Sequence, residues 1–359
     1  MNGIKDVAQK AGVSISTVSN VLNGKRYVSP ELAQRVRAAA RELAYEANPI
    51  AQRMKSNHSG IIGIITGDMY GVFYPYIVKG ISEIATERGY QIVLSDARSA
   101  YGDRSAENYE FELFQQYINN RVDGIIFASV ASKEHIERYC RKLLEAVNKF
   151  KPTPLVSLER DLTPYGIDSV YFDGFENSRM AVRHLIDCGC RKICHISGPG
   201  YMEIAEERIE GYLNVMNEYG LEVNERKMIA KGNYSHQGGY LAMKELLENV
   251  PDLDGIFCGN DQMAIGALKV LKEYGKEVPR DIKLIGYDDI FIASIVEPSL
   301  STIHIKKKHA GIEAAKILLD RIENPGNCES VNKVLMDGRL VVRKSTMASA
   351  PEDWILSEW

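Results

Sequence analysis

Ser14, Ser16, Thr17, Ser19 and Asn20 crowd short hydrogen-bonding side chains into one stretch near the N-terminus. Such groups donate to and accept from phosphates and base edges, but do little acid–base work. Elsewhere the sequence offers little for catalysis. Gly198-Pro199-Gly200 is not a GxGxxG loop, no P-loop GK[ST] occurs, and no nucleophile, base and orienter stand together. Cys188, Cys190 and Cys194 are near neighbours among six cysteines but form no CxxC pair and have no matching cluster. They read as buried thiols of a reducing compartment rather than metal ligands. No enzymatic activity, metal or cofactor is expected.

The hydroxyl-rich stretch lies between two short helical registers. Ile4, Val7, Ala8 and Ala11 recur at spacings of 3 and 4, Gly12 interrupts, and Val18, Val21 and Leu22 resume the spacing. Gly12 suits a left-handed turn, Ser14 can cap the second helix, and Ala8 lets the two helices cross closely. Ser29-Pro30-Glu31 then opens a third helix, with Leu32, Val36, Ala39, Ala40 and Leu43 as its apolar stripe. A plain helical hairpin would not need the polar outer face of the second helix, which a helix-turn-helix presents to the major groove. Charge agrees: residues 1–58 carry nine Lys or Arg against four Asp or Glu, a net +5, leaving −9 on the rest of a chain of −4 overall. This is a basic module on an acidic body.

At 359 residues, 45% hydrophobic and 26% charged, the chain is globular and too long for one core. It has no apolar run of membrane-spanning length and no signal peptide, so a cytoplasmic location is expected. Asn48 to Ser56 is a short helix-prone segment, marginal by itself. From Ile61 onward, buried-strand runs alternate with amphipathic helices. The runs at 60–66, 91–95, 124–128 and 154–157 form one series, and those at 170–172, 193–196, 255–258 and 283–287 a second. Two series of strand–helix units read as two doubly wound α/β lobes with a ligand cleft at their strand ends.

With headpiece, linker helix and two lobes in this order, the chain resembles the lactose-repressor (LacI/GalR) family of bacterial transcription regulators. The matching residues include Ile4-Lys-Asp-Val-Ala8, Ala11-Gly-Val-Ser14, Thr17-Val-Ser19, Val21-Leu-Asn23, Leu43-x-Tyr45 and Asn48-x-x-Ala51. Later come Phe73-Tyr74, Val122-Asp-Gly-Ile-Ile126, Arg208-x-x-Gly-Tyr212, Asn260-Asp261, Gly286-Tyr-Asp-Asp289 and Leu340-Val-x-Arg-x-Ser-Thr346, so the resemblance spans nearly the whole chain.

The resemblance implies a helix-turn-helix headpiece (1–47), a hinge helix and linker (48–59), a two-lobed periplasmic-binding-protein-like domain (60–346) and a tail (347–359). Lobe crossovers are expected near 160–165, 288–295 and 323–330. A homodimer would bind a near-palindromic operator under control of a small effector. Ile15, Ser16 and Asn20 fall where the family reads bases; Ser14, Thr17, Ser19 and Asn23 would hold phosphates and set register, and Tyr27 is a further DNA-binding position. Met54 stands where a leucine wedges into the minor groove, next to Lys55. Effector-contacting positions are Phe73, Tyr74, Glu159, Arg160, Arg208, Tyr234, Asn260 and Asp288, a set suited to a carbohydrate or sugar phosphate. Asp288 could instead serve a turn, Asn260 could cap a helix, and Tyr74 could be core. The chain departs from the family at Glu159, where Asp is usual, at Cys190, where His is common, and at the cleft-edge residues Met202 and Ile204. A purine-type regulator and a soluble sugar receptor without a transcriptional role are the alternatives. The tail lacks tetramerising heptads.

Overall fold

The computed structural model describes residues 3–23, 27–45, 58–67, 69, 71–97, 106–149, 151–326 and 330–351. The hinge segment around Met54 and Lys55, Cys328 and the tryptophans of the tail therefore lie outside the described residues. The chain divides into two units, one ending at Ser59 and one beginning at Gly60.

The first unit is a three-helix headpiece of α1 (Ile4–Ala11), α2 (Ile15–Asn23) and α3 (Pro30–Glu42). Gly12 ends α1 in the left-handed region at φ 64°, and its amide returns to the carbonyls of Ala8 and Gln9. Val7, Ala8, Ala11, Val18, Val21, Val36, Ala39 and Ala40 form the core that the spacing predicts. Arg35 of α3 donates 2.6 Å to the Ala11 carbonyl, placing its cation at the negative end of α1.

The second unit holds two parallel sheets. Its elements run β1 (Ile61–Thr66), α4 (Tyr74–Glu87), β2 (Gln91–Asp96), α5 (Ala106–Asn119), β3 (Gly124–Phe127), α6 (Ile136–Asn148), β4 (Leu155–Glu159), β5 (Asp168–Phe172), α7 (Gly174–Asp187), β6 (Ile193–Ser197) and α8 (Glu203–Glu218). They continue with β7 (Ile229–Lys231), α9 (His236–Asn249), β8 (Gly255–Cys258), α10 (Asp261–Glu273), β9 (Lys283–Ile285), β10 (Thr302–Ile305), α11 (Lys307–Glu323), β11 (Lys333–Met336) and β12 (Gly338–Val341). The first sheet has order β11-β5-β4-β3-β1-β2, the second β7-β6-β8-β9, and β10 pairs antiparallel with β12. Strands β3 and β8 are buried throughout, as apolar runs covered by helices on both faces must be. The late helix α11 packs on α4 of the first lobe, and only glycine fits that crossing: a Cβ on Gly80 would fall 2.1 Å from the Lys308 carbonyl oxygen.

All three expected crossovers are corrected. Strand β5 pairs in parallel with β4, Val156 beside Asp168, so the chain leaves the first lobe after Phe172 and not at 160–165. A single 3-10 turn at Thr163–Tyr165 replaces the helix that usually joins parallel neighbours, and alternation therefore misassigned this strand to the second series. The last crossing lies at Asp337, between β11 and β12, and not at 323–330, because edge strand β11 still pairs with β5. The crossing expected at 288–295 is corrected too. Ile285 bridges Ser301 and Asp288 bridges His304 in parallel, so β10 still lies beside β9, Phe291–Ile295 forms one helical turn between these two strands, and the chain returns to the first lobe between β10 and α11.

Candidate functional site

On the headpiece, Ser14 Oγ accepts from the Thr17 amide at 3.1 Å and so caps α2. Its oxygen also lies 2.7 Å from the Ser16 hydroxyl and 2.9 Å from that of Thr17, giving a knot of hydroxyls at the helix start. Ile15 stands beside them 42% exposed, an apolar residue left out of a core that takes Val18 and Val21 from the other side of the helix. Ser19 and Asn20 are half-buried, and Tyr27 is 91% exposed. Backbone amides at a helix start, hydroxyls and an exposed apolar side chain can together hold phosphate, base edges and a thymine methyl. The side chain of Asn23, like Met54 and Lys55, lies outside the described residues.

In the second unit, strand order reverses between β1 and β3 in the first sheet and between β6 and β8 in the second. Loops leaving the carboxyl ends of such strands diverge and open a crevice. A recess of about 450 Å³, its mouth included, lies there, lined by Gly71, Phe73, Tyr74, Glu159, Ile204, Arg208, Tyr234, Asn260, Gln262 and Asp288. Both lobes contribute, and three helices, α4, α8 and α10, start at its wall.

The side chains are held in place by protein contacts. Tyr74 donates to Glu159, and the Phe73 ring meets Tyr74 edge-on at 5.2 Å. Arg208, 7% exposed, donates Nη1 to the Gly259 carbonyl and lies 3.9 Å over the Tyr287 ring. Its buried Nε has no hydrogen-bond partner. Burial opposes its charge, but Tyr234, Tyr287, Asp288 and Glu159 outweigh that and keep the guanidinium protonated. Asn260 caps α10 through the Met263 amide at 2.9 Å and donates 3.0 Å to the Tyr234 carbonyl, so the capping role is realised. Gly198 admits the Tyr234 ring, since a Cβ there would fall 2.1 Å from its Cζ.

Asp288 and Asp289 follow β9 in consecutive left-handed conformations, φ 104° and 53°. Buried Lys307, the first residue of α11, donates to both their carbonyl oxygens, to Asp289 at 3.1 Å. Burial pushes the Asp288 carboxyl up to about 7, against the pull of Arg208 and Lys307. Asp289 behaves oppositely. Although it is buried, His304 and Arg343, each 2.8 Å from one of its oxygens, hold it below the usual carboxylate range.

Seven of the eight expected effector positions thus line one recess. Arg160 does not. It turns into an adjoining recess, donating 2.6 Å to the Ala131 carbonyl and 2.8 Å to Glu203 at the start of α8. Glu159 closes β4 in the left-handed region at φ 67°, and the chain turns there so that Arg160 leaves in another direction. Gly71 and Gln262 are lining residues that the sequence reading missed. Gln262 sits two positions after the cap Asn260, where the first turn of α10 projects into the recess. The three clustered cysteines are free thiols, and no group of metal-ligating residues occurs among the described residues.

Residues 3–48 match the family model of bacterial regulatory proteins, lacI family, and residues 182–346 that of the periplasmic binding protein-like domain. The HTH-type transcriptional repressor PurR of Escherichia coli O139:H28 is 33% identical over 350 residues, covering 96% of this chain and 97% of that protein. The ribose operon repressor of Escherichia coli K12 is 34% identical over 327 residues, 90% of this chain and 94% of its own. Among solved structures, the lac repressor dimer bound to operator and the anti-inducer ONPF matches with TM-score 0.84 and 28% identity, covering 96% of this chain and 99% of that one. A CelR–cellobiose complex matches with TM-score 0.69 and 30% identity, over 96% of this chain and 100% of the other.

Proposed function

This chain belongs to the lacI family of bacterial regulatory proteins, and from that premise we propose that it represses transcription as a dimer on a near-palindromic operator, controlled by a carbohydrate-type effector in the inter-lobe recess. It is a DNA-binding transcriptional regulator and not an enzyme. Ile15, Ser16 and Asn20 are assigned to base reading, and Ser14, Thr17, Ser19, Asn23, Tyr27 and Lys55 to the backbone of the duplex. Met54 is assigned to the central base step. No described helix is long and apolar enough to cross a membrane, and the cytoplasm, where its operator lies, is its assigned place.

One observation supports the effector assignment above others. Glu159, Asp288, Gln262 and Arg208 share a recess with Phe73, Tyr74 and Tyr234. Carboxylates and amides can serve paired hydroxyls while aromatic faces cover C–H groups. The similarity to PurR keeps a purine-type effector as the second reading. A thermal-shift screen over sugars, sugar phosphates and purines separates the two, since a ligand bound only by the folded state raises apparent stability. A shift with sugars that Arg208→Ala removes supports the assignment; a shift with purines alone refutes it. Operator binding must also fall steeply with salt, and a flat response would remove the DNA-binding face from the headpiece.

A further inference from the structure

We infer that the recess takes a neutral, unphosphorylated sugar and rejects phosphate esters. This rests on the carbohydrate reading above and goes further, naming the class of sugar by its charge.

A phosphate monoester carries close to two negative charges and, once ionised, has no proton to donate. Proteins hold it with cations and with free amides at helix starts. The recess is poor in both. Among its described lining residues, Arg208 is the one cation, and it is already engaged by the Gly259 carbonyl and the Tyr287 ring. Glu159 and Asp288 face the same space, so a phosphate there would meet two carboxyl groups for one guanidinium.

At the three helix starts on the wall many of the first-turn amides are already engaged. In α4 the first turn contains a proline, which has no amide hydrogen, and Tyr76 N–H turns back to Phe73. In α8 the amides of Met202, Ala205 and Glu206 bond within the turn, and Glu203 and Glu206 place negative charge at the positive end of the helix. In α10 Asp261 N–H goes to the Tyr287 carbonyl, Met263 N–H to the Asn260 side chain and Ala264 N–H to the Asn260 carbonyl. The buried Asp261 carboxyl lies beneath that start, receiving Thr302 at 2.6 Å and the Ile290 amide at 2.8 Å.

What remains open suits hydroxyl groups. Glu159 and Asp288 accept, the Arg208 guanidinium donates, and the Gln262 amide does both. Each sugar hydroxyl supplies one donor and two acceptor sites, whereas a fully ionised phosphate brings no donor to either carboxyl group.

Isothermal titration of the full chain with matched pairs tests this: D-ribose and ribose 5-phosphate, D-glucose and glucose 6-phosphate, cellobiose and cellobiose 6′-phosphate. At least one neutral member is expected to bind, and its phosphate ester at least roughly a hundredfold more weakly, as a like charge about 5 Å away in a partly screened site requires. The double substitution Glu159→Gln with Asp288→Asn should narrow that gap by tenfold or more. An ester that binds as well as its parent sugar, or better, overturns the inference while leaving the carbohydrate reading intact. A gap unchanged in the double variant overturns it too. Silence of every sugar and ester overturns the carbohydrate reading, and this inference with it.

Discussion

Asp288→Asn tests the electrostatics of the recess without any ligand. The carboxyl is buried, and burial raises it from its ordinary 3.8 to about 7. At 1.36 kcal/mol per pH unit this difference amounts to about 4 kcal/mol. Below about pH 4 the group is protonated in both folded and unfolded chains. Between that pH and 7 the folded state holds one proton more than the unfolded state, so this group's contribution to stability falls as pH rises. Above 7 the loss is complete. Asparagine carries no proton to lose, so between pH 5 and pH 8 the variant should gain about 3 kcal/mol relative to wild type. The backbone bonds from Lys307 go to carbonyl oxygens and survive the substitution. The charged groups acting on Asp288 are Arg208 from α8, Lys307 from α11 and Glu159 from β4, with Asp261 of α10 itself raised by burial and by Asp288. Urea denaturation of both full-length proteins at the two pH values, followed by far-UV circular dichroism, measures the difference. A variant equally displaced from wild type at both pH values would mean that Asp288 ionises normally in the folded protein.

Three further outcomes are expected. Ser14→Ala removes the cap of α2 and should cost the headpiece about 1 kcal/mol, weakening operator affinity in a gel-shift titration while leaving the sugar-induced thermal shift unchanged. Asn20→Ala should lower discrimination at one operator base pair by about 1–3 kcal/mol with the salt slope intact, which a panel of single-base operator variants reads; uniform weakening at all positions would make Asn20 a phosphate contact. Glu203→Gln breaks the ion pair that joins Arg160 of the first lobe to α8 of the second. Because Arg160 is 6% and Glu203 30% exposed, the loss should approach 1–2 kcal/mol, below the figure for a fully buried pair, and thermal denaturation of the full chain checks it.

Much of this molecule is legible from periodicity. The headpiece core is written at spacings of 3 and 4, and apolar runs such as Ile61–Thr66 and Gly255–Cys258 are short enough, and rich enough in β-branched and aromatic residues, to read as strands covered on both faces. Alternation failed at β5, where a short 3-10 turn replaced a helix, and at β11, whose exposed Lys333 and Leu335 make no apolar run. The site was legible one residue at a time but its geometry was not. Glu159 and Arg160 are neighbours in sequence, yet the strand sends one into the main recess and the other toward Glu203. Gln262 was missed because a glutamine in the first turn of a helix has many ordinary uses. Asn260 shows the reverse: a side chain named for ligand contact spends both ends of its amide on the protein.

The most informative arrangement is the least legible one. Asp288 is both a wall of the recess and the point where the chain after β9 bridges to His304 of β10, the last strand before the chain leaves the second lobe. Its left-handed backbone, followed by that of Asp289, is held by a lysine from the first turn of α11, a helix packed on α4, β3, β4 and β5 of the first lobe. Asp289 is in turn fixed by His304 of β10 and by Arg343, which follows β12 beyond the last crossing. Two of the three crossovers therefore meet in one buried charged cluster whose outermost member faces the ligand. A sugar hydroxyl on Asp288 stabilises its ionised form and changes the charge balance with Lys307, so ligand contact and lobe geometry are linked by shared residues rather than by a distant relay. Linkage requires the converse. Lys307→Met should alter sugar affinity although Lys307 does not line the recess, and should move the pH dependence of binding upward by removing a cation that favours ionised Asp288. Isothermal titration across pH 5.5 to 8.5 reads both effects, and unchanged affinity with an unchanged pH profile would show that cluster and recess are independent.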